Sequence, residues 1–191
     1  MWAFLITEVM FFGGMFTAYA YYRYRYPAAF AAGSAHLDVT LGTINTAVLI
    51  GSSLTMVLAV HAAQLGRNRD IVRFFLMTIG LGLVFLVIKA FEYGHKWRDH
   101  LVPGRHFRWH GDGGGGPVQL FYSLYFAMTG MHALHMVIGM ALIGVLAVMA
   151  GRGRFTPQNH NAVENIGLYW HFVDVIWIFL FPLLYLLGVH T

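Results

Sequence analysis

The chain has 191 residues, of which 58% are hydrophobic and only 10% are charged, whereas soluble domains carry about 25% charged residues. This composition excludes an ordinary soluble protein and predicts an integral membrane protein. The formal net charge of +4 comes from basic residues that lie almost wholly between the apolar runs, so it indicates headgroup anchors and not a nucleic-acid surface.

Five apolar runs are long enough to cross a bilayer, since about 20 helical residues cover the hydrocarbon. Their continuous apolar character favours helices over the alternating pattern of a barrel. The sequence therefore predicts an all-α bundle of five transmembrane helices in a single membrane domain, residues 1–191. The predicted spans are residues 2–22, 41–64, 71–93, 118–149 and 163–189. The first run starts without a basic segment or a cleavage site, so no removable targeting peptide is expected.

The first span carries one acid, Glu8, on a helix face that it shares with Phe12, Met15 and Tyr19. The other faces of this span are apolar. One interpretation is that Glu8 reaches water near the start of the chain. The other, which we favour, is a protonatable or lipid-contacting acid held between helices.

The second and third spans carry polar residues with a structural interpretation. A loop with Pro27 and Gly33 is expected before the second span. In that span Asn45 accompanies small hydroxylated residues, which let membrane helices approach and hydrogen-bond to one another. We predict an interhelical contact for Asn45. In the third span, Lys89 and Glu92 are three residues apart and can form an ion pair on one helix face near the membrane interface.

Residues 94–117 form the longest polar stretch and are predicted to lie outside the membrane. Four glycines at 113–116 are not followed by Lys-Ser/Thr, so they predict a flexible connection and not a phosphate loop. The segment also holds four histidines, but their spacing matches no recognised set of metal ligands. They are His95, His100, His106 and His110. The chain has no cysteine, which excludes disulfides and thiolate metal sites.

The fourth span contains His132 and His135, three residues apart. Such a pair could bind haem or copper in mid-membrane, or could hydrogen-bond across helices. Haem ligation between helices would call for histidines on other spans, and only His171 offers itself. We therefore predict interhelical polar contacts for these three histidines and no bound metal.

The last span places Asp174 near its midplane. A carboxylate at that depth costs at least about 2.5–3.5 kcal/mol, so Asp174 should face protein or water. On a helix it lies in one stripe with Trp170 and Trp177, and His171 lies one turn back. This stripe is predicted to be a packing face that carries one functional acid.

Short connections at residues 66–73 and 150–162 hold five arginines. A high density of basic residues favours the cytoplasmic side of a membrane. These connections, and with them the N-terminus, are therefore predicted to be cytoplasmic. Five dissimilar spans show no internal repeat of the inverted-transporter kind.

Four motifs in order resemble the third subunit of haem-copper respiratory oxidases. They are ITEVMFFG at 6–13, NTAVL at 45–49, TGMHALH at 129–135 and YWHFVDVIW at 169–177. The FEY sequence at 91–93, which closes the third span, fits the same family. Together the motifs extend over nearly the whole chain.

This resemblance implies a non-catalytic subunit of a cytochrome c oxidase in the bacterial plasma membrane. Such a subunit supports aerobic electron transport, proton uptake and complex stability, and it binds no haem or copper itself. Catalytic subunit I would be its main contact, and subunit II would belong to the same hetero-oligomeric complex. The partner subunits would hold the haem and copper. Phospholipid would bind in the helix cleft of this chain. The family's acid in the third helix of its seven-helix form corresponds to Glu8, and the His and Asp of its last helix correspond to His171 and Asp174.

The chain resembles the five-helix bacterial form of the family, in which a catalytic subunit supplies the first two helices of the seven-helix form. Related functions within this form are an accessory subunit of a quinol oxidase or of a nitric oxide reductase. Two other classes are a haem-binding membrane reductase that uses His132, His135 and His171, and a small proton-coupled transporter. The chain has too few histidines in its spans to hold two haems and a copper, which argues against a redox core.

Overall fold

The computed structural model describes residues 2–104, 107–109, 111 and 113–186. The helices are α1 (Trp2–Arg25), α2 (Pro27–Ala35), α3 (Val39–Gln64), α4 (Asn68–Arg98), α5 (Gly115–Gly151) and α6 (Asn161–Phe181). A π-helical turn, Pro182–Leu186, follows α6 directly. Within the described residues the only β pairing is a single bridge between Thr156 and Asn159. The predicted all-α class is confirmed.

Five of the helices are long and apolar enough to cross a membrane. The segments are Ala3–Arg25, Val39–Gln64, Asn68–Arg98, Gly115–Gly151 and Asn161–Leu186. They contain the five predicted spans, except that the first segment begins one residue later than predicted and that residues 187–189 of the last span lie outside the described residues. The prediction of five transmembrane helices is therefore confirmed.

Helix α4 is longer than the sequence predicted. It covers Asn68–Arg98, whereas the apolar run suggested residues 71–93. Hydrophobicity marks the part of a helix that suits lipid, but the backbone hydrogen bonds continue into the polar flanks. Residues 94–98, which were predicted to open the polar loop, therefore belong to the helix.

Helix α2 occupies a segment that was predicted to be a loop, and this prediction was wrong. Pro27 stands at the start of the helix, where a missing N–H costs nothing and the fixed φ angle suits a helix. Five of the nine residues of α2 are alanines, the residue type with the highest helix propensity. Proline therefore marks the beginning of a helix here and not an irregular connection.

The apolar run of the last span did not predict the π-helical turn that follows α6. Pro182 has no backbone N–H, so the regular hydrogen-bond pattern cannot pass through it. Two carbonyl groups of the turn are bound by side chains from other helices. Tyr19 of α1 donates from its hydroxyl group to the Leu183 carbonyl at 2.8 Å, and Ser34 of α2 donates to the Leu184 carbonyl at 2.6 Å. These two contacts join the turn to α1 and α2.

By its contacts the chain divides into two compact units. Unit 1 contains Asn45–Val87 and His132–Trp177, and unit 2 contains Trp2–Ile44, Ile88–Met131 and the described part of Ile178–Thr191. The single domain expected from the sequence stays a prediction.

The core of unit 1 is organised around Trp170, whose side chain is fully buried. Two glycines make room for its ring. A Cβ atom at Gly139 of α5 would lie 3.0 Å from Cε3 of Trp170, and one at Gly82 of α4 would lie 3.2 Å from Cη2. The indole N–H donates to Oγ of Ser52 at 3.2 Å. Small residues thus let these helices approach closely, as is common in membrane bundles.

The core of unit 2 is aromatic. The ring of Phe30 contacts Tyr19 at a centroid distance of 5.2 Å and Phe121 at 5.4 Å, both edge to face. This arrangement suits the charge distribution of aromatic rings. Gly33 of α2 packs on Phe121, and a Cβ atom at this glycine would lie 2.9 Å from Cγ of the ring. Helix α2 is therefore part of the core of this unit.

The glycine run at 113–116 leads from a turn into α5. Gly113 and Gly114 have φ angles of +97° and +78°, which favour glycine over other residues. A Cβ atom at Gly113 would lie 2.7 Å from the Cα of Ala29, so the turn packs against α2. Gly115 and Gly116 already belong to α5. The flexibility expected for the connection stays a prediction.

Candidate functional site: the buried acids

Asp174 lies on the buried face of α6. Its side chain is only 4% exposed, and Trp170 and Trp177 of the same stripe are fully buried. The indole N–H of Trp177 donates to Oγ1 of Thr46 on α3 at 3.1 Å. The predicted packing face is therefore present, and Asp174 is its one acid.

His171 connects this acid to α3 through a serine. Nδ1 of His171 lies 2.7 Å from Oγ of Ser53, and the Ser53 hydroxyl also faces the carboxyl group of Asp174. Neither carboxyl oxygen of Asp174 has a hydrogen bond of normal geometry within the described residues. We call His171, Ser53 and Asp174 the α6 cluster. It brings together the two residues of the last span that the sequence singled out.

Glu8 belongs to α1 and to unit 2. Its helix face is the one expected, because Phe12 and Tyr19 are each 1% exposed and Glu8 itself is half-buried. By contrast, Ile6, Val9 and Met10 on the other faces are exposed. This placement suits an acid that stands at the edge of a helix interface. Its role in proton or lipid contact stays a prediction.

Lys89 and Glu92 form an ion pair with a nitrogen-to-oxygen distance of 2.8 Å. The pair does not lie at an exposed helix end, as an interface position had suggested, because the residues are 4% and 3% exposed. The second carboxyl oxygen of Glu92 accepts from the hydroxyl groups of Tyr125 at 2.8 Å and Tyr185 at 2.6 Å. We call these four residues the α4 cluster. It joins α4, α5 and the π-helical turn within unit 2.

A second buried lysine, Lys96, lies two turns further along α4. It is 7% exposed, and its ammonium group donates to the backbone carbonyl of His36. The ring of His36 packs edge to face against Trp109 at 4.8 Å. The hydrogen bond from Lys96 attaches the connection before α3 to the end of α4.

The histidines of α5 are held by contacts that the sequence did not predict. The ring of His132 packs between Phe85 and Trp177, at centroid distances of 5.4 Å and 5.2 Å. His135 contributes its backbone carbonyl, which accepts from the hydroxyl group of Tyr169 at 3.0 Å. Phe85 and Trp177 thus form an aromatic cage around His132. The interhelical polar contacts expected for the two imidazole rings stay a prediction.

Asn45 is fully buried, but its predicted interhelical hydrogen bond is not seen. Neither its amide nitrogen nor its amide oxygen has a partner among the residues that the structure describes. Burial of such a group without a partner costs about 1–3 kcal/mol. The contact expected for Asn45 thus stays a prediction.

The polar segment after α4 does not collect its histidines in the part that the structure describes. His95 lies on α4, where Nδ1 is 3.0 Å from the Phe91 carbonyl, and His100 follows the helix with a positive φ angle. His106 and His110 lie outside the described residues. Among the described residues no three His, Cys, Asp or Glu side chains form a possible metal site.

Sequence reasoning missed the partners of the charged residues. Ser53, Tyr125 and Tyr185 were not singled out, because serine and tyrosine are common in membrane spans and carry no motif by themselves. A signal was nevertheless present. A charge inside a span requires a partner, and the hydroxyl-bearing residues of the other spans were the available partners for Glu92 and Asp174.

The chain is similar to known proteins of one family. Residues 117–189 match the family model described as cytochrome c oxidase subunit III. The chain is 36% identical to cytochrome c oxidase subunit 3 of Synechocystis sp. over 96% of its own length and 72% of that protein. It is also 36% identical to the same subunit of Corynebacterium diphtheriae, with 95% and 83% coverage. For the subunit of Thermostichus vulcanus the identity is 35%, with 96% and 84% coverage.

Proposed function

This chain belongs to the cytochrome c oxidase subunit III family, and on that premise we propose that it is a non-catalytic subunit of a bacterial haem-copper oxidase. The observation that carries the proposal is the identity of 36% over 96% of the chain. The five transmembrane helices agree with a multi-pass subunit of a respiratory complex. Subunits I and II of the oxidase are the proposed partners, and they would hold the haem and copper.

The contacts of His132 in the fourth span agree with a chain that leaves haem and copper binding to its partner subunits. His132 is fully buried, and its ring packs between Phe85 and Trp177. These contacts support a packing role for His132. We propose that the electron-transfer chemistry belongs to the neighbouring subunits and that this chain supports it.

The acids define the proposed supporting role. Glu8 stands half-buried on α1, and Asp174 is buried on α6. Acids at such positions are costly and mark proton or lipid contacts in membrane proteins. We propose that Glu8 and Asp174 help to sustain proton uptake and the working life of the complex, together with bound phospholipid.

Purification of the native complex with the wild-type chain or with Glu8→Gln tests this function. The wild-type complex should contain haem and copper and oxidise reduced cytochrome c. The variant should keep the haem spectrum, because Glu8 binds no cofactor, but its turnover or its number of turnovers before inactivation should fall. The matched control is Asp70→Asn, which removes a partly exposed acid paired with Arg73 at 3.3 Å and should leave both quantities unchanged.

Three results would contradict different parts of the proposal. A complex without copper would indicate the nitric oxide reductase relative, and oxidation of quinol in place of cytochrome c would indicate the quinol oxidase. Normal turnover and lifetime in Glu8→Gln would remove the role of Glu8 while leaving the assignment of the subunit intact.

We also propose that the N-terminus is cytoplasmic, because five arginines lie in the connections after α3 and α5 or in the first two turns of α4. The chain has no cysteine, so a single introduced cysteine reports its own side. In intact spheroplasts, a membrane-impermeant maleimide should label Tyr24→Cys. It should label Arg152→Cys only after permeabilisation. The reverse pattern would invert the topology.

A further inference from the structure

A groove of about 520 Å³ runs along α3 and α6 within unit 1. Its polar end holds Glu164, which accepts from the Gln64 amide at 3.1 Å and lies 3.2 Å from Nε2 of His160. Between the ends, the walls are mostly apolar and include Val60 and Leu168, and His61 also lines the groove. His171 lines the other end of the groove. Because Glu164 and His171 are seven residues apart on one helix, the groove covers roughly 10 Å of helix length.

The inner end of the groove meets the α6 cluster. His171 lines the groove, while its Nδ1 is hydrogen-bonded to Ser53 at 2.7 Å. Asp174 lies three residues after His171 on α6, so the two side chains are neighbours on one side of the helix. The imidazole is therefore interposed between the groove and the buried acid. A groove of this size has ample room for water, since one molecule needs only about 10–15 Å³ of such space.

Asp174 has the properties of a site that holds a proton. It is 4% exposed, and no ion pair within the described residues includes it. Among the described residues, the hydroxyl-bearing side chain near its carboxyl group is Ser53 on α3, and Ser53 is hydrogen-bonded to His171 on α6. A buried acid without a cationic partner is far less costly in its neutral form. A proton on Asp174 must therefore enter and leave through one of these neighbours or through local opening of the helices.

We propose that the groove, His171 and Ser53 form a proton-exchange route between the polar end at Glu164 and the carboxyl group of Asp174. The inference rests on the proposed function, in which Asp174 is one of the proton-holding acids, and it adds the path. No residue of this path other than His171 and Asp174 was singled out by the sequence.

The steps balance without any further reactant. Nε2 of His171 takes a proton from water in the groove, and Nδ1 gives its proton to the oxygen of Ser53. Ser53 gives its own hydroxyl proton to a carboxylate oxygen of Asp174 when rotation of the two side chains brings them into hydrogen-bond contact. Each step breaks one N–H or O–H bond and forms another, so one proton moves inward. The same steps in reverse return it.

Infrared spectroscopy of the native complex in D₂O tests the route. The carbonyl band of protonated Asp174 is identified as the band that disappears in Asp174→Asn. In the wild type this band should shift promptly after transfer to D₂O. In His171→Leu and Ser53→Ala the shift should be slower by about tenfold or more, which corresponds to an added barrier of about 1.4 kcal/mol. The haem spectrum of the same sample verifies that the complex has assembled.

The matched control is His95→Leu, which removes an exposed histidine of unit 2 and should leave the exchange rate unchanged. Equal rates in wild type, His171→Leu and Ser53→Ala would overturn the proposal. So would a wild-type band that takes hours to shift, because lipid tails would then keep the groove dry. Absence of any carbonyl band lost in Asp174→Asn would show an ionised acid and would also overturn it. The metal content of the complex tests the proposed function separately, since the exchange rate does not depend on it.

Discussion

Replacement of Glu92 by leucine is expected to destabilise the folded chain by about 3–5 kcal/mol, the usual cost of removing one partner from a buried ion pair. Glu92 and Lys89 are 2.8 Å apart and 3% and 4% exposed. Without the carboxylate, the ammonium group of Lys89 would stay in the core of unit 2 but lose the charge that compensates it. The hydroxyl groups of Tyr125 and Tyr185 would also lose their common acceptor.

The double variant Lys89→Met/Glu92→Leu should recover most of this loss. Uncharged side chains of similar volume can replace a buried ion pair at little cost, and sometimes with a gain. The remaining deficit should come from the two tyrosine hydroxyl groups. Because they lie 3.4 Å apart and can hydrogen-bond to each other, only one buried donor should lose its partner, at a cost of about 1–3 kcal/mol. The ion pair thus adds specificity to the packing of α4, α5 and the π-helical turn more than it adds net stability.

Protease resistance of the chain across a denaturant series in native membranes measures these differences. The control is Asp70→Ala on the pair with Arg73, where the side chains are 35% and 72% exposed. That substitution should cost less than about 1 kcal/mol, as exposed pairs usually do. A Glu92→Leu variant as stable as this control would show that the α4 cluster does not hold unit 2 together.

Replacement of Trp170 by alanine is expected to cost a similar amount, about 3–5 kcal/mol. The ring is fully buried and fits closely against Gly139 of α5 and Gly82 of α4. In lipid, helix association depends on close packing and hydrogen bonds, because the tails are as apolar as the side chains. The cavity left by the missing ring would therefore remove contacts that nothing in the bilayer restores.

The same protease measurement separates packing from hydrogen bonding. Trp170→Phe keeps most of the ring volume but loses the hydrogen bond to Ser52, so it should fall between the wild type and Trp170→Ala. Trp97→Ala is the control, because Trp97 is 72% exposed and exposed substitutions usually change stability by less than about 0.5 kcal/mol. Equal losses in Trp170→Ala and Trp97→Ala would contradict the packing role of the Trp170 ring.

The membrane class, the five spans and the family could be predicted because each depends on local sequence. Bilayer thickness sets the length of an apolar run, and the motifs at 6–13, 45–49, 129–135 and 169–177 are contiguous. The ion pair between Lys89 and Glu92 could also be predicted, since three residues separate its members on one helix. For the same reason, helical periodicity alone was enough to predict the stripe of Trp170, Asp174 and Trp177.

Tertiary structure alone decided which groups from other helices meet these residues. Tyr125 and Tyr185 reach Glu92 from 33 and 93 residues away, and Ser53 reaches His171 from 118 residues away. Helical periodicity gives the face on which a side chain lies but neither the neighbouring helix nor its depth in the bundle. The aromatic cage of His132, helix α2 and the π-helical turn after Pro182 likewise depend on how the helices pack and end. Sequence therefore determined that acids lie within membrane helices, and packing determined which partners hold them there.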